Sequence, residues 1–288
     1  MENGNMFSSA LERVAKIAEK SIPVNPCDYI GEDGFLYCGL CNTRKQCEVP
    51  WFDGRITKVL TLCKCESEKE EQEKKRREQI KKLEMIASLK RESLMDDKFR
   101  KCSFDTAVKS ESNSKQLGMC RRYAEKFSEM RKKNQGLLLY GGVGTGKTFA
   151  ACCIGNYLME NLIPVFATSI VKILQSKFSM SPDNFDSLTS KINAADLLII
   201  DDLGAERSTE YAIETVYNII DCRYRVGKPM IVTTNLTLDE MKNCPDVKCR
   251  RIYDRIFEVC YPIHFDGKSL RAKEAGNRYM EMKKLLEG

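Results

Sequence analysis

The chain has 288 residues, 42% hydrophobic and 31% charged, which is enough for one full core and a smaller module. No apolar run approaches the roughly 20 residues of a membrane span. Glu12, Arg13, Lys16, Glu19 and Lys20 interrupt any export-signal core, so a cytoplasmic protein with no membrane partner is expected. A net charge of +6 is too mild to demand nucleic acid, and fourteen cysteines without an export signal point to reduced thiols and a metal site, not a disulfide scaffold.

Residues 1–65 form a first zone. Ser9 and Glu12 have capping-box spacing, and Leu11, Val14 and Ala18 then share a face, which predicts a short helix. Residues 23–65 follow, rich in Pro, Gly and Cys and too aperiodic for an ordinary core. Within them Cys38-x-x-Cys41 and Cys63-x-Cys65 set two thiol pairs across one loop, an arrangement suited to tetrahedral Zn²⁺. A zone so poor in core residues gains most from a structural metal. The second pair is tighter than the common spacing, so Cys47 or Cys27 could replace one ligand. A redox C-x-x-C would need a following βαβ pattern, which is missing.

Residues 66–101 are crowded with Glu, Lys and Arg. Ile80, Leu83, Ala87 and Leu94 trace a thin apolar stripe, which predicts a solvated connecting helix. A coiled coil is the alternative, but two heptads are too few to favour it.

Residues 102–288 have an α/β rhythm. Apolar runs at 137–140, 165–168, 197–200 and 230–233 read as buried parallel strands with helical crossovers, and 261–265 is a weaker fifth. A phosphate loop joins the first strand to its helix: Gly141, Gly142, Val143, Gly144, Thr145, Gly146, Lys147 and Thr148, with Phe149 continuing the helix. The glycines let backbone N–H groups wrap phosphate oxygens. Lys147 can reach the β- and γ-phosphates of ATP, Thr148 can ligate Mg²⁺, and the helix dipole points at the same anions. The strand Leu197-Leu198-Ile199-Ile200 then ends in Asp201 and Asp202. Asp201 would hold Mg²⁺ through water, and Asp202 would polarise the attacking water. Asp202 is one methylene shorter than Glu, so slow, switch-like ATP hydrolysis is expected. Asn235 ends the next strand, where its amide could touch the γ-phosphate or the water. The single histidine, His264, lies on a candidate strand and assembles no Ser–His–Asp set.

Together, GGVGTGKT, LLIIDDLG, IVTTN and two later arginine motifs resemble the AAA+ ATPases, over roughly residues 104–275. Within that group they look most like the bacterial helicase loaders of the DnaC and DnaI type, with the IstB transposition ATPases as near relatives. The resemblance implies an AAA+ domain, α/β with a central parallel sheet flanked by helices, behind a zinc-binding module that contacts the helicase. It implies that Asn235 is sensor 1, that Arg255, within residues 250–256, is an arginine finger acting on a neighbouring subunit, and that Arg271 of Ser269-Leu270-Arg271 is a sensor 2 phosphate contact. It further implies ATP-dependent homo-oligomers that engage a hexameric replicative helicase and single-stranded DNA. Lys172, Lys177 and Phe178 could belong to the strand-binding surface. An IstB-like regulator of a transposase on target DNA is the alternative.

Overall fold

The computed structural model describes residues 25–51, 54–92, 101–107, 113–204, 209–267 and 269–287. The helix expected around Ser9 and Glu12, and Leu94 of the apolar stripe, lie outside the described residues. The chain divides into two compact units, Met1–Lys81 and Lys82–Gly288.

In the first unit, β1 (Tyr29–Ile30) and β2 (Leu36–Tyr37) pair antiparallel, as do β3 (Gln46–Pro50) and β4 (Ile56–Leu60). The apolar interior is small. Phe35 is buried between the Arg44 guanidinium, 3.1 Å from its ring centroid, and the Lys58 ammonium, at 4.2 Å. Lys45 is fully buried and bonds Asp28 and Glu66, each at 3.0 Å. A buried ammonium is tolerated only with such partners, and together they hold its pKa above the ordinary lysine value against the opposing effect of burial.

Helix α1 (Lys64–Glu92) crosses the division between the units. Its exposed face carries i,i+4 pairs Glu71–Lys75 and Glu73–Arg77. The helix is largely solvated, as its stripe predicts: Ile80, Leu83 and Ala87 are exposed, whereas Ile86 and Leu89 are buried. Met85 and Leu89 pack into the core of the second unit, so tertiary contact, and not the stripe's own spacing, selects the buried face.

The second unit continues with α2 (Ser114–Glu125), α3 (Phe127–Lys132), β5 (Gly136–Gly141), α4 (Lys147–Glu160), β6 (Val165–Ser169), α5 (Ile170–Ser179), α6 (Pro182–Ala194), β7 (Leu197–Leu203), α7 (Glu210–Val226), β8 (Met230–Thr234), α8 (Leu238–Lys242), α9 (Val247–Val259), β9 (Cys260–Phe265) and α10 (Leu270–Glu287). Five parallel strands lie in the order β6-β7-β8-β5-β9. Successive residues feed opposite faces. Leu138, Phe166, Leu198, Ile200 and Val232 enter one core cluster, while Leu139, Val165, Leu197, Ile199 and Ile231 enter the other. That two-sided burial explains the uninterrupted apolar runs. The fifth strand, β9, lies at the sheet edge with Tyr261, Pro262 and His264 exposed, which accounts for its weaker signal.

Candidate nucleotide and metal sites

The phosphate loop lies between the end of β5 and the start of α4. Gly141, Gly144 and Gly146 have φ of +134°, +77° and +102°, a region L side chains rarely adopt. Crowding reinforces this: a Cβ on Gly144 would come within 2.2 Å of Ser269 Oγ. Gly146 caps α4. Val143 is exposed at the loop's tip, Thr145 bonds Gly142 O, and Phe149 packs against the second core cluster.

Lys147 is buried, and its Nζ donates to Gly141 O (2.8 Å), Gly142 O (2.7 Å) and Asn235 Oδ1 (2.8 Å). Burial lowers its pKa, Asp202 and Asp201 oppose that, and the nearby Arg271 adds to it. Thus Arg271 lies within electrostatic reach of Lys147, and Leu270 N bonds Gly144 O at 2.9 Å, seating the root of α10 on the loop.

Asp201 Oδ1 accepts hydroxyl bonds from Thr148 (2.7 Å) and Thr233 (2.6 Å). Burial pushes this carboxyl above the ordinary aspartate value, while the two hydroxyls pull it down. Asp202 sits in a bulge of β7 at φ +55°, and its N–H donates to Thr233 Oγ1 at 3.0 Å. Thr233 therefore braces both acids. The sequence spacing assigned Thr233 no role; its position two residues before Asn235 on the same apolar run was the available signal.

Arg255 is not part of this cluster. Its guanidinium bonds Asp221 (Nε to Oδ1, 2.8 Å) and Tyr217 (2.9 Å), both on α7, and donates to Arg251 O. At the end of α5, Phe178 is 79% exposed and lies 5.1 Å from the Tyr211 ring, with Lys177 5.8 Å above Tyr211. Lys172 N bonds Ser169 Oγ in the cap of that helix.

In the first unit, the sulfurs of Cys38, Cys41, Cys63 and Cys65 all lie within 4.8 Å of one another. Cys38–Cys65 and Cys63–Cys65 are 3.6 and 3.2 Å apart. Four thiolates about 2.3 Å from one ion require a cluster of this size, so the set could hold zinc. Cys27 and Cys47 are exposed and not part of it. Hydrogen bonding, chiefly with Thr43, pulls the Cys41 thiol down to about 6, whereas burial pushes Cys63 up. No helix among the described residues is long and apolar enough to cross a membrane.

The family described as IstB-like ATP binding protein matches residues 62–277. The replicative helicase loader DnaI of Bacillus subtilis (strain 168) is 28% identical over 152 residues, 48% of this chain and 48% of DnaI, so the chain spans about half that relative's length. The replicative helicase loader DnaC of Escherichia coli (strain K12) is 25% identical over 183 residues, 62% of this chain and 72% of DnaC. A crystal structure of DnaI has the same fold, with a TM-score of 0.52 at 24% identity over 61% of this chain and 93% of that one.

Proposed function

Because the chain belongs to the family of IstB-like ATP-binding proteins and carries the AAA+ sheet, we propose that it is an ATPase that loads a replicative DNA helicase in the initiation of DNA replication. The observation that carries the loader reading is that both relatives above are named replicative helicase loaders.

In this reading, ATP with Mg²⁺ supplies the phosphoryl group that is hydrolysed. Backbone N–H groups of the loop, residues 141–146, grip phosphate oxygens, and Lys147 exchanges a carbonyl partner for a phosphate oxygen. Thr148 and Asp201 hold the metal, and Arg271 contacts phosphate. Asp202 orients the attacking water from its bulge, with Asn235 beside it. The short Asp202 side chain makes turnover slow. Arg255 acts on a neighbouring subunit's phosphate in the ATP-bound oligomer, which requires release from Asp221 and Tyr217. Residues 1–65, held by zinc, contact the hexameric helicase, residues 66–101 connect, and residues 102–288 form the ATPase. Phe178 and Tyr211, with Lys177 above Tyr211 and Lys172 on the same helix, offer a stacking and charged surface to single-stranded DNA.

The family match favours one other reading, an ATPase regulating a transposase on target DNA. Co-purification with a hexameric replicative helicase, without nucleotide and with an ATP analogue, separates the two. Intact protein is expected to capture the helicase and a Cys38→Ser/Cys41→Ser variant to lose it. Failure of intact protein under both conditions overturns the loader reading.

A further inference from the structure

From Arg271 to Glu287, every described side chain of α10 is exposed. Yet Ala272, Ala275, Tyr279, Met282 and Leu286 recur at three- and four-residue spacing and form one seam. Tyr279 is 66% exposed and Leu286 78%. The family match covers residues 62–277 and the large apolar residues of this seam, Tyr279, Met282 and Leu286, follow it. A continuous apolar stripe of this kind calls for a partner.

The charges beside the seam restrict that partner. Arg271, Arg278 and Lys283 flank it, so two α10 helices laid seam to seam would bring like charges together. The complementary surface is apolar with an acidic rim. Such a surface exists in the same unit: a groove of about 560 Å³ between α8 and α9, lined by Leu236, Pro245 and Tyr253 and edged by Asp239 and Glu240. The Glu240 carboxylate is fixed by Thr237 in a capping box, and Asp239 is exposed. Lys242, at the end of α8, is the basic group nearest in sequence to this rim.

We propose that α10 of one copy docks into this groove of a second copy, the seam on the apolar floor and Lys283 and Arg278 towards the acidic rim. Tail and groove are different surfaces, so the contact is head to tail and builds a ring or an open chain. It also joins two nucleotide sites. The root of α10 is bonded to Gly144 of its own phosphate loop, and Leu236 of the groove follows Asn235, the partner of Lys147. This inference rests on the self-assembly proposed above and supplies its surfaces.

The test is sedimentation of the full chain with and without an ATP analogue, with analogue affinity measured on the same samples. Wild type is expected to self-associate. Met282→Glu/Leu286→Glu, at exposed positions that do not threaten the fold, is expected to weaken association roughly tenfold or more without changing analogue affinity. Asp239→Lys and Lys283→Glu should each weaken it, and the two together should restore it. Association unchanged by Met282→Glu/Leu286→Glu overturns this docking while leaving self-assembly standing. Strengthening by Lys283→Glu alone does the same, because it marks α10–α10 pairing. A wild type that stays monomeric under both conditions overturns the docking and the self-assembly together.

Discussion

The ammonium of Lys147 donates to the side-chain oxygen of Asn235 at 2.8 Å, joining the phosphate loop to the end of β8 across 88 positions of sequence. The same Nζ bonds two loop carbonyls, so one cation ties the carboxyl end of β5 to that of β8, where phosphate is expected. Lys147→Ala should therefore abolish most nucleotide affinity. Asn235→Ala should leave affinity within a few-fold while lowering turnover by roughly 10²-fold, as for loss of a transition-state contact. Equilibrium binding of a fluorescent ATP analogue beside steady-state phosphate release separates the two effects.

Asp201 predicts a conflict between stability and metal binding. Its folded pKa is raised by burial, so the folded protein holds this proton more tightly than the unfolded chain. The stability this contributes is full below the ordinary aspartate value of 3.8 and is lost as pH rises from there through the raised value. Asp201→Asn should thus be more stable than wild type at pH 7 yet lose Mg²⁺-dependent nucleotide binding. In wild type, Mg²⁺-dependent affinity should fall as pH drops towards the raised value. Urea unfolding and calorimetric titration at several pH values check both.

Arg223 is fully buried and bonds five main-chain carbonyls, those of Ile192, Asn193, Ala195, Asp196 and Pro229. It staples the end of α6 to the starts of β7 and β8, the strands that carry Asp201 and lead to Asn235. Arg223→Met removes the guanidinium donor from all five, although Asn193 O keeps Lys228 Nζ and Pro229 O keeps Leu198 N, and should cost about 3 kcal/mol or more of unfolding free energy. Denaturant titration measures it. A cost below about 1 kcal/mol would mean that water replaces the guanidinium.

Chelation bears on the first unit alone. If zinc joins Cys38, Cys41, Cys63 and Cys65, removing it should unfold that unit, whose apolar interior is small. The phosphate-loop unit should still melt cooperatively. Metal analysis of purified protein should give one zinc per chain, falling to near zero in Cys38→Ser/Cys41→Ser. Proteolysis before and after chelation should show new cleavage confined to residues 25–65.

Much of the architecture was legible because its signals are local. The runs at 137–140, 165–168, 197–200 and 230–233 are apolar without interruption, since both faces of their strands are covered. Elsewhere local spacing predicted a solvated helix but not which of its residues are buried. Ile80, Leu83 and Ala87 have the helical period yet face water, because contact with the second unit's core turns Met85 and Leu89 inwards. No sequence signal distinguished Arg255 from the other arginines as the partner of Asp221, and none marked Arg223 as buried.

By itself, the sequence determined what neighbouring residues can settle: the glycine loop with its lysine and threonine, the apolar runs, the paired acids after one of them, and the two thiol pairs. Each depends on spacing within a few positions of the chain. Only the tertiary structure decided that Thr233 braces both Asp201 and Asp202, that Asp202 lies in a left-handed bulge, and that the described side chains of α10 from Arg271 onwards are exposed. These depend on which strand packs beside which, because a hydrogen bond between residues some thirty positions apart is set by sheet order and not by any local period.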